Sequence, residues 1–244
     1  SHHGAYFAQL ARDVCDGLAA CGFMHCPGEM MASNPRWRQP LAAWSRLFSD
    51  WIEHTDRQKA RLASNLFDFR VVHGDEQLGR PLRRQIARNC PRHDTLFVHL
   101  VANACSIPPP LGFFRQLVVI REGEHEGDLD IKRHGLLPIV DLARIHALAA
   151  GVRETGTLPR LRAAAAGKLL SRDGAETLGA AFEFLLALRT RHQKEQLSRG
   201  LRADNFVAPA SLSAGDRQSL RDVFLAVARQ QKALQLAFPH APAQ

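Results

Sequence analysis

The sequence predicts an α+β fold that is mostly helical, ending in a helical bundle that carries a small β-hairpin. Three observations carry this expectation. Apolar residues recur at helical spacing along most of the 244 residues, with only short stretches alternating at period two. The triple proline Pro108-Pro109-Pro110 interrupts the pattern and divides residues 1–105 from 106–244. After residue 138 every apolar run has helical period.

The elements follow in order. Residues 6–21 place Phe7, Leu10, Val14 and Leu18 on one helical face, with Gly22 as the stop. Residues 23–26 are short and apolar and read as a strand. Residues 26–37 (CPGEMMASNPRW) hold two turns, Pro27-Gly28 and Asn34-Pro35, around backbone that fits neither helix nor strand. A connection specified this closely reads as a binding surface. Residues 40–54 form a helix; Trp37, Trp44 and Trp51 lie seven apart, a stripe read as core rather than as a stacking platform.

A helix over 56–64 leads into 65–72 (NLFDFRVV), whose alternation predicts a strand with Asp68 and Arg70 on one face. That pair reads equally as an ion pair or as the floor of a site. Helices over 75–89 and 92–104 precede the prolines. Beyond them, 113–121 reads as a strand, 122–127 as a polar turn, and 129–132 as a return strand. Helices are expected over 139–150, 157–167, 173–199 and 214–238, with Thr157, Pro159, Ser213 and Asp216 as start signals. The last two should pair as an antiparallel bundle.

Composition bounds the function. A hydrophobic content of 45% with 23% charged residues belongs to a globular chain rather than a disordered one. No apolar run reaches the roughly 18 residues of a membrane span. Five cysteines without a C-x-x-C pair read as reduced thiols in a cytoplasmic protein, and no His–Cys spacing suggests zinc. The net charge of +8 admits an anionic partner, yet the basic residues alternate with acids and read first as solvated surface. No P-loop, G-x-S-x-G or H-E-x-x-H pattern occurs. Asp128, Asp130 and Lys132 could grip phosphate or metal, or simply solvate a hairpin. Gly135 could serve as a phosphate-approach turn. Glu124 and His125 have no nucleophile to pair with, and His192-Gln193 reads as a polar patch at a bundle end.

A succession of motifs spans nearly the whole chain: YF-x-x-LA, CPG-x-x-MASNPRW, DFR-x-x-x-GD, PPPLGFFR, GEH, LDIKRHGLLPIVDLARIHAL, LRTRHQ, GL-x-x-DN and LS. In order and spacing it resembles the C-terminal part of a bacterial family of nucleotidyltransferases, found downstream of a cyclic-nucleotide-binding domain and a CBS pair. That family is more remotely similar to PII uridylyltransferase and glutamine synthetase adenylyltransferase. The resemblance implies the end of a nucleotidyltransferase-like α/β domain over 1–105 and a helical substrate-binding domain over 106–244. It implies a signal-transduction protein that transfers a nucleotidyl group from a nucleoside triphosphate, with Mg²⁺, to an unknown acceptor, a protein among the candidates. Upstream regulatory domains would be partners; no membrane is implied, and an oligomer is left open. The family's signature, a G-S-x-x-R-x-E helix start and a D-x-D strand, would fall upstream of Tyr6. Residues 1–244 alone are therefore not expected to transfer a nucleotide, and no metal ligand is assigned among them.

By position in the motifs, Asp68 is the candidate third carboxylate, with Glu29 as runner-up. Gly28, Met31, Ser33, Asn34, Arg70, Gly74, Lys132 and Gly135 are the candidate nucleotide- or substrate-binding residues. Two other classes of function stand beside the enzyme: a non-catalytic nucleotide-sensing or protein-interaction module, and a nucleic-acid binder whose affinity falls steeply with salt.

Overall fold

The structure, a computed structural model, describes residues 3–238 and is 65% helical with one small antiparallel sheet. The chain divides into two compact units, Ser1–Ser49 and Asp50–Gln244.

The first unit contains α1 (Gly4–Ala20) and the first part of α2 (Leu41–Glu53), joined by a long connection with one 3₁₀ turn, Pro35–Trp37. Residues 23–26, expected as a strand, have no ladder partner and run irregularly. The apolar face of α1 is solvent-facing: Phe7, Leu10, Val14 and Leu18 are all exposed. Trp37 stacks on Trp44 at 6.1 Å, and Trp44 meets Phe48 edge-on at 5.4 Å.

The second unit holds α3 (Arg57–Leu66), α4 (Arg80–Asn89), α5 (Asp94–Cys105), β1 (Leu129–Asp130), α6 (Leu137–Ala149), α7 (Thr157–Ala166), α8 (Arg172–Ser198), β2 (Phe206–Val207) and α9 (Ala214–Ala237). Its core is built by α6 packing on α7, α5 and α9, and by α8 packing on α7 and α9. Ile139, Leu142, Ile145, Leu161, Leu178, Leu185, Leu220 and Phe224 are fully buried there. The helix starts follow capping chemistry. Asp56 accepts from Lys59 N at 2.7 Å and Ser213 from Asp216 N at 3.0 Å, each satisfying an orphan first-turn donor. α8 and α9 run antiparallel: the start of α8 lies beside Gln230, and its far end pairs Arg191 with Asp216 at the start of α9.

Two further strand expectations are corrected. Residues 65–72 form no strand. Leu66 ends α3, Phe67 is buried with its ring 6.4 Å from Trp51, and Asp68 is drawn to arginines on other helices. The alternation there records buried anchors on irregular backbone. Residues 113–121 make only an isolated bridge, Leu111 with Leu117. The polar turn does form, closed by Gly127 N→Ile120 O and Ile120 N→Asp128 O at 2.9 Å each, with positive φ at Gly123 and Gly127. The return strand β1 then pairs with β2, Leu129 opposite Val207 and Asp130 opposite Phe206.

Between β1 and α6 the chain makes a π-helical turn, Lys132–Leu136. Pro138 follows at once and cannot donate to the helix ladder, so a wider turn just before it fits the missing bond. Gly135 lies in this turn. A Cβ there would fall 2.7 Å from Leu185 Cδ1 and 3.5 Å from Phe224 Cε1.

Candidate functional site

The motifs of the second unit converge on one polar groove. Its hub is Asp204, in the loop between α8 and β2. The side-chain carboxylate accepts from Phe206 N at 2.9 Å and lies 3.1 Å from His192 Nε2. Its backbone N–H donates to Gln196 Oε1 at 2.9 Å, and its carbonyl accepts from Gln193 Nε2 at 2.9 Å. Burial alone would raise the Asp204 pKa. The hydrogen bonds from Phe206, Gln196 and His192 outweigh it and hold the carboxyl below its ordinary range.

The neighbouring residues are fixed in the same way. Arg189 donates to Asn205 Oδ1 at 2.7 Å, and Asn205 O accepts from Ile131 N at 3.1 Å. His125, on the polar turn, stacks flat on Phe206 with ring centres 3.5 Å apart and sits 3.7 Å from Asp128. On the opposite side Arg191 pairs with Asp216 at 2.8 Å. Of these groups Asp128, Arg191, His192, Asp204, Phe206 and Asp216 enclose a cavity of about 440 Å³, into which Glu195, Arg199, Ser211 and Ser213 also face. The wall mixes both signs of charge with hydroxyls and the Phe206 ring, which suits a polar ligand of mixed charge.

His192 therefore belongs to a built site; Gln193 holds the Asp204 carbonyl and His125 supports the Phe206 ring without lining the cavity themselves. Residue order alone gave no sign of this, because each partner lies on a different element. The signal that was available is the motif set itself: LRTRHQ, GL-x-x-DN and LS line this groove, and GEH touches it through His125 stacked on Phe206.

The other expected site residues fall elsewhere. Asp68 is half-buried and fully engaged. Arg144 Nε and Nη2 donate to its Oδ2 at 2.9 and 2.7 Å, and Arg160 Nη2 donates to Oδ1. Arg144 also binds Ser64 Oγ at 2.8 Å and Asp141 Oδ1. Burial would raise the Asp68 pKa, but the Arg160 hydrogen bond and the Arg144 charge win and lower it. Asp141, half-buried and sharing Arg144 with a second carboxylate, is raised instead, desolvation outweighing the Arg144 charge. Arg70 is exposed and forms no pair with Asp68, and Gly74 sits at φ +94° in open space. Lys132 is exposed at the start of the π-helical turn, and Gly135 is buried against Leu185 and Phe224.

In the first unit, the loop bearing Gly28, Glu29, Met31, Ser33 and Asn34 is stapled to itself. Glu29 adopts φ +52°, and its carbonyl accepts from both Trp37 Nε1 at 3.0 Å and Asn34 Nδ2 at 3.3 Å. Asn34 Oδ1 accepts from Arg36 N at 3.0 Å, and Met31 Sδ from Cys26 N at 3.0 Å. Arg38 Nη1 donates to Ala32 O and Ser33 O. Gly28 has room for a side chain, its built Cβ reaching only Cys26 Sγ at 4.0 Å.

Residues 94–238 match the family described as putative nucleotidyltransferase substrate binding domain, and residues 1–58 match the one described as Putative nucleotidyltransferase DUF294. The chain belongs to this nucleotidyltransferase-type family. No curated protein and no solved structure matches it. Asp68, Arg70 and Gly74 lie in the stretch between the two matched segments. No helix among the described residues is long and apolar enough to cross a membrane.

The resemblance of the motifs implies Mg²⁺ for a catalytic domain, and the described residues do not fit that ion. No group of three or more His, Cys, Asp or Glu among the described residues is placed to hold a metal ion. Asp128 and Asp130 have D-x-D spacing, but Asp128 faces His125 and Asp130 Oδ1 caps Arg133 N at 2.9 Å.

Proposed function

We propose that this chain is the acceptor-holding part of a nucleotidyltransferase, and that the groove around Asp204 seats the acceptor. In the reaction an acceptor oxygen attacks the α-phosphorus of a nucleoside triphosphate and pyrophosphate leaves. What supports the reading is the convergence of three motif segments of a nucleotidyltransferase-type family, LRTRHQ, GL-x-x-DN and LS, on one cavity of mixed charge. Arg191, Arg199 and His192 offer cations and donors; Glu195, Asp128 and Asp216 offer acceptors. A protein segment carrying both charges fits such a wall better than a purely anionic ligand does.

Within this reading residues 1–105 close a nucleotide-binding domain and 106–244 form the acceptor domain. The 26–37 loop offers Gly28, Met31, Ser33 and Asn34 toward nucleotide, and Lys132 and Gly135 lie on the acceptor side. Glu29 keeps its place as a carboxylate candidate. We assign Asp68 a structural role, because each of its oxygens already accepts from an arginine. A signalling context in the cytoplasm, with cyclic-nucleotide-binding and CBS domains upstream, completes the proposal.

The test is label transfer from α-³²P nucleoside triphosphates by the full-length protein onto a peptide array, followed by kinetics on the best acceptor. Asp204→Ala and His192→Ala should raise KM for the acceptor about tenfold and leave calorimetric binding of the nucleotide unchanged. Unchanged acceptor KM in both variants would refute the groove assignment. Equal loss of nucleotide binding would show that the site serves the nucleotide instead.

A further inference from the structure

Residues 80–92 contain Arg80, Arg83, Arg84, Arg88 and Arg92 and no acidic residue. α4 buries Leu82 and Ile86, which turns its arginines away from the core. The loop after α6 is seated directly on this helix. Gly151 takes φ +64°, and a Cβ there would fall 2.8 Å from Ala87 O. Only a residue without a side chain permits that approach, and it carries Arg153 up to α4. Arg80, Arg83, Arg84 and Arg153 then surround a cavity of about 280 Å³. A second cavity continues from it, lined by Arg83, Arg153, Glu154, Thr155, Gly156 and Pro159.

These arginines are not there to make ion pairs within the chain. Arg80 reaches Glu76 at 3.7 Å, both side chains being exposed. Arg83, Arg84 and Arg153 have no ion-pair partner among the described residues. Four guanidinium groups around one concavity repel one another, and a wall of one sign concentrates the field inside it. The planar fork of arginine matches phosphate oxygens two at a time.

We infer that this pocket is a polyphosphate-binding site, taking a chain of two or more linked phosphates. The occupant must bring several negative charges in a compact body, because the arginines face a hollow from two elements rather than tracking a line along one. A nucleic-acid backbone would instead follow the outer row that continues to Arg88 and Arg92, which do not line the cavity. The site is separate from the Asp204 groove. Its α4 half lies outside both family-matched segments, so it goes beyond the proposed acceptor function and does not depend on it.

Calorimetry on the full-length protein at 50 mM salt tests the inference, with inorganic tripolyphosphate as the probe. Binding should be at least about tenfold tighter than that of orthophosphate. Arg84→Glu and Arg153→Glu should each weaken it by about tenfold or more, and Arg84→Lys, which keeps the charge and loses the fork, should weaken it less than Arg84→Glu. Arg88→Glu, an equal charge change outside the cavity, should leave it intact. All three positions are exposed, and an unchanged circular dichroism spectrum verifies folding. ATP binding like tripolyphosphate identifies the phosphate chain alone as the ligand; tighter ATP binding identifies a nucleotide's chain. No binding at 1 mM tripolyphosphate overturns the site. An Arg88→Glu loss equal to that of Arg84→Glu, with a 12-mer oligonucleotide bound more tightly than tripolyphosphate, replaces it with a nucleic-acid surface.

Discussion

Asp68 and Arg144, 76 positions apart in sequence, meet with two guanidinium N–H groups on a single carboxylate oxygen. Arg160, from a third helix, takes the other oxygen. The carboxylate thus joins the end of α3 to α6 and α7. Both arginines are buried, so removing their shared partner leaves Arg160 uncompensated and Arg144 with Asp141 alone. Asp68→Asn should cost about 3 kcal/mol in urea-unfolding stability. Asp141→Asn should cost under about 1 kcal/mol, because burial and the neighbouring Asp68 already disfavour the Asp141 carboxylate. Equal losses for the two substitutions would contradict this division of roles.

The same groups set an acid-stability profile. Burial lowers the His146 pKa below its ordinary 6.5, so the unfolded chain binds the proton more readily. Stability from this group is present above pH 6.5 and is lost as pH falls through the folded value. Asp68, also lowered, holds its contribution above its ordinary 3.8 and loses it below. Asp141 runs the other way, favouring the fold at low pH and losing that contribution as pH rises. Urea midpoints should therefore begin to drop below pH 6.5 and fall again below pH 3.8. His146→Gln should remove the first step and leave the second.

Gly135→Ala sets two effects against each other. Alanine gains up to about 1 kcal/mol of helix propensity over glycine. The new methyl would press on Leu185, which is fully buried and cannot swing into solvent. Overpacking of this kind costs roughly 1–3 kcal/mol and should win. Leu185→Ala alone should cost more than about 2 kcal/mol, and the double variant less than the sum, since the second truncation removes the clash. A thermal-unfolding double-mutant cycle checks both statements.

The thiols should label in order of exposure. Cys21 and Cys26 are exposed, whereas burial pushes the Cys90 thiol up to about 12 and Cys105 up to about 11. With iodoacetamide at pH 8, mass spectrometry should find Cys21 and Cys26 modified first and Cys90 last, since the thiolate is the reactive form.

Asn34→Ala should loosen the first-unit loop by about 1 kcal/mol, removing one donor to Glu29 O and one acceptor for Arg36 N. Trp37 shares that carbonyl and stacks on Trp44, so the change should register in tryptophan fluorescence.

The helices were legible because their periodicity is local and their starts carry side-chain caps, as at Asp56 and Ser213. The strand expected over 65–72 failed because alternation identifies a strand only if a neighbour supplies the ladder; here Phe67 and Asp68 are anchored singly by distant helices. Within 113–132 the turn was legible from its glycines, but the partner of β1 was not, since Val207 lies beyond three helices. The groove was hidden for the same reason. His125 acquires its meaning from Phe206 and His192 from Asp204, and neither pairing leaves a spacing in the sequence. The arginine pocket was missed, because the basic residues were read together as solvated surface and only the close approach at Gly151 makes the α4 row concave.

The two-residue ladder joining Leu129 to Val207 has a kinetic consequence. Most contacts in the second unit are helical and near in sequence, and such contacts form early. The ladder must close a loop holding all of α6, α7 and α8, whose entropy is lost before any strand bond rewards it. His125 and Phe206 are brought together by that closure. The ligand wall should accordingly be the last part of the unit to assemble in refolding, and its amides among the first to exchange with solvent.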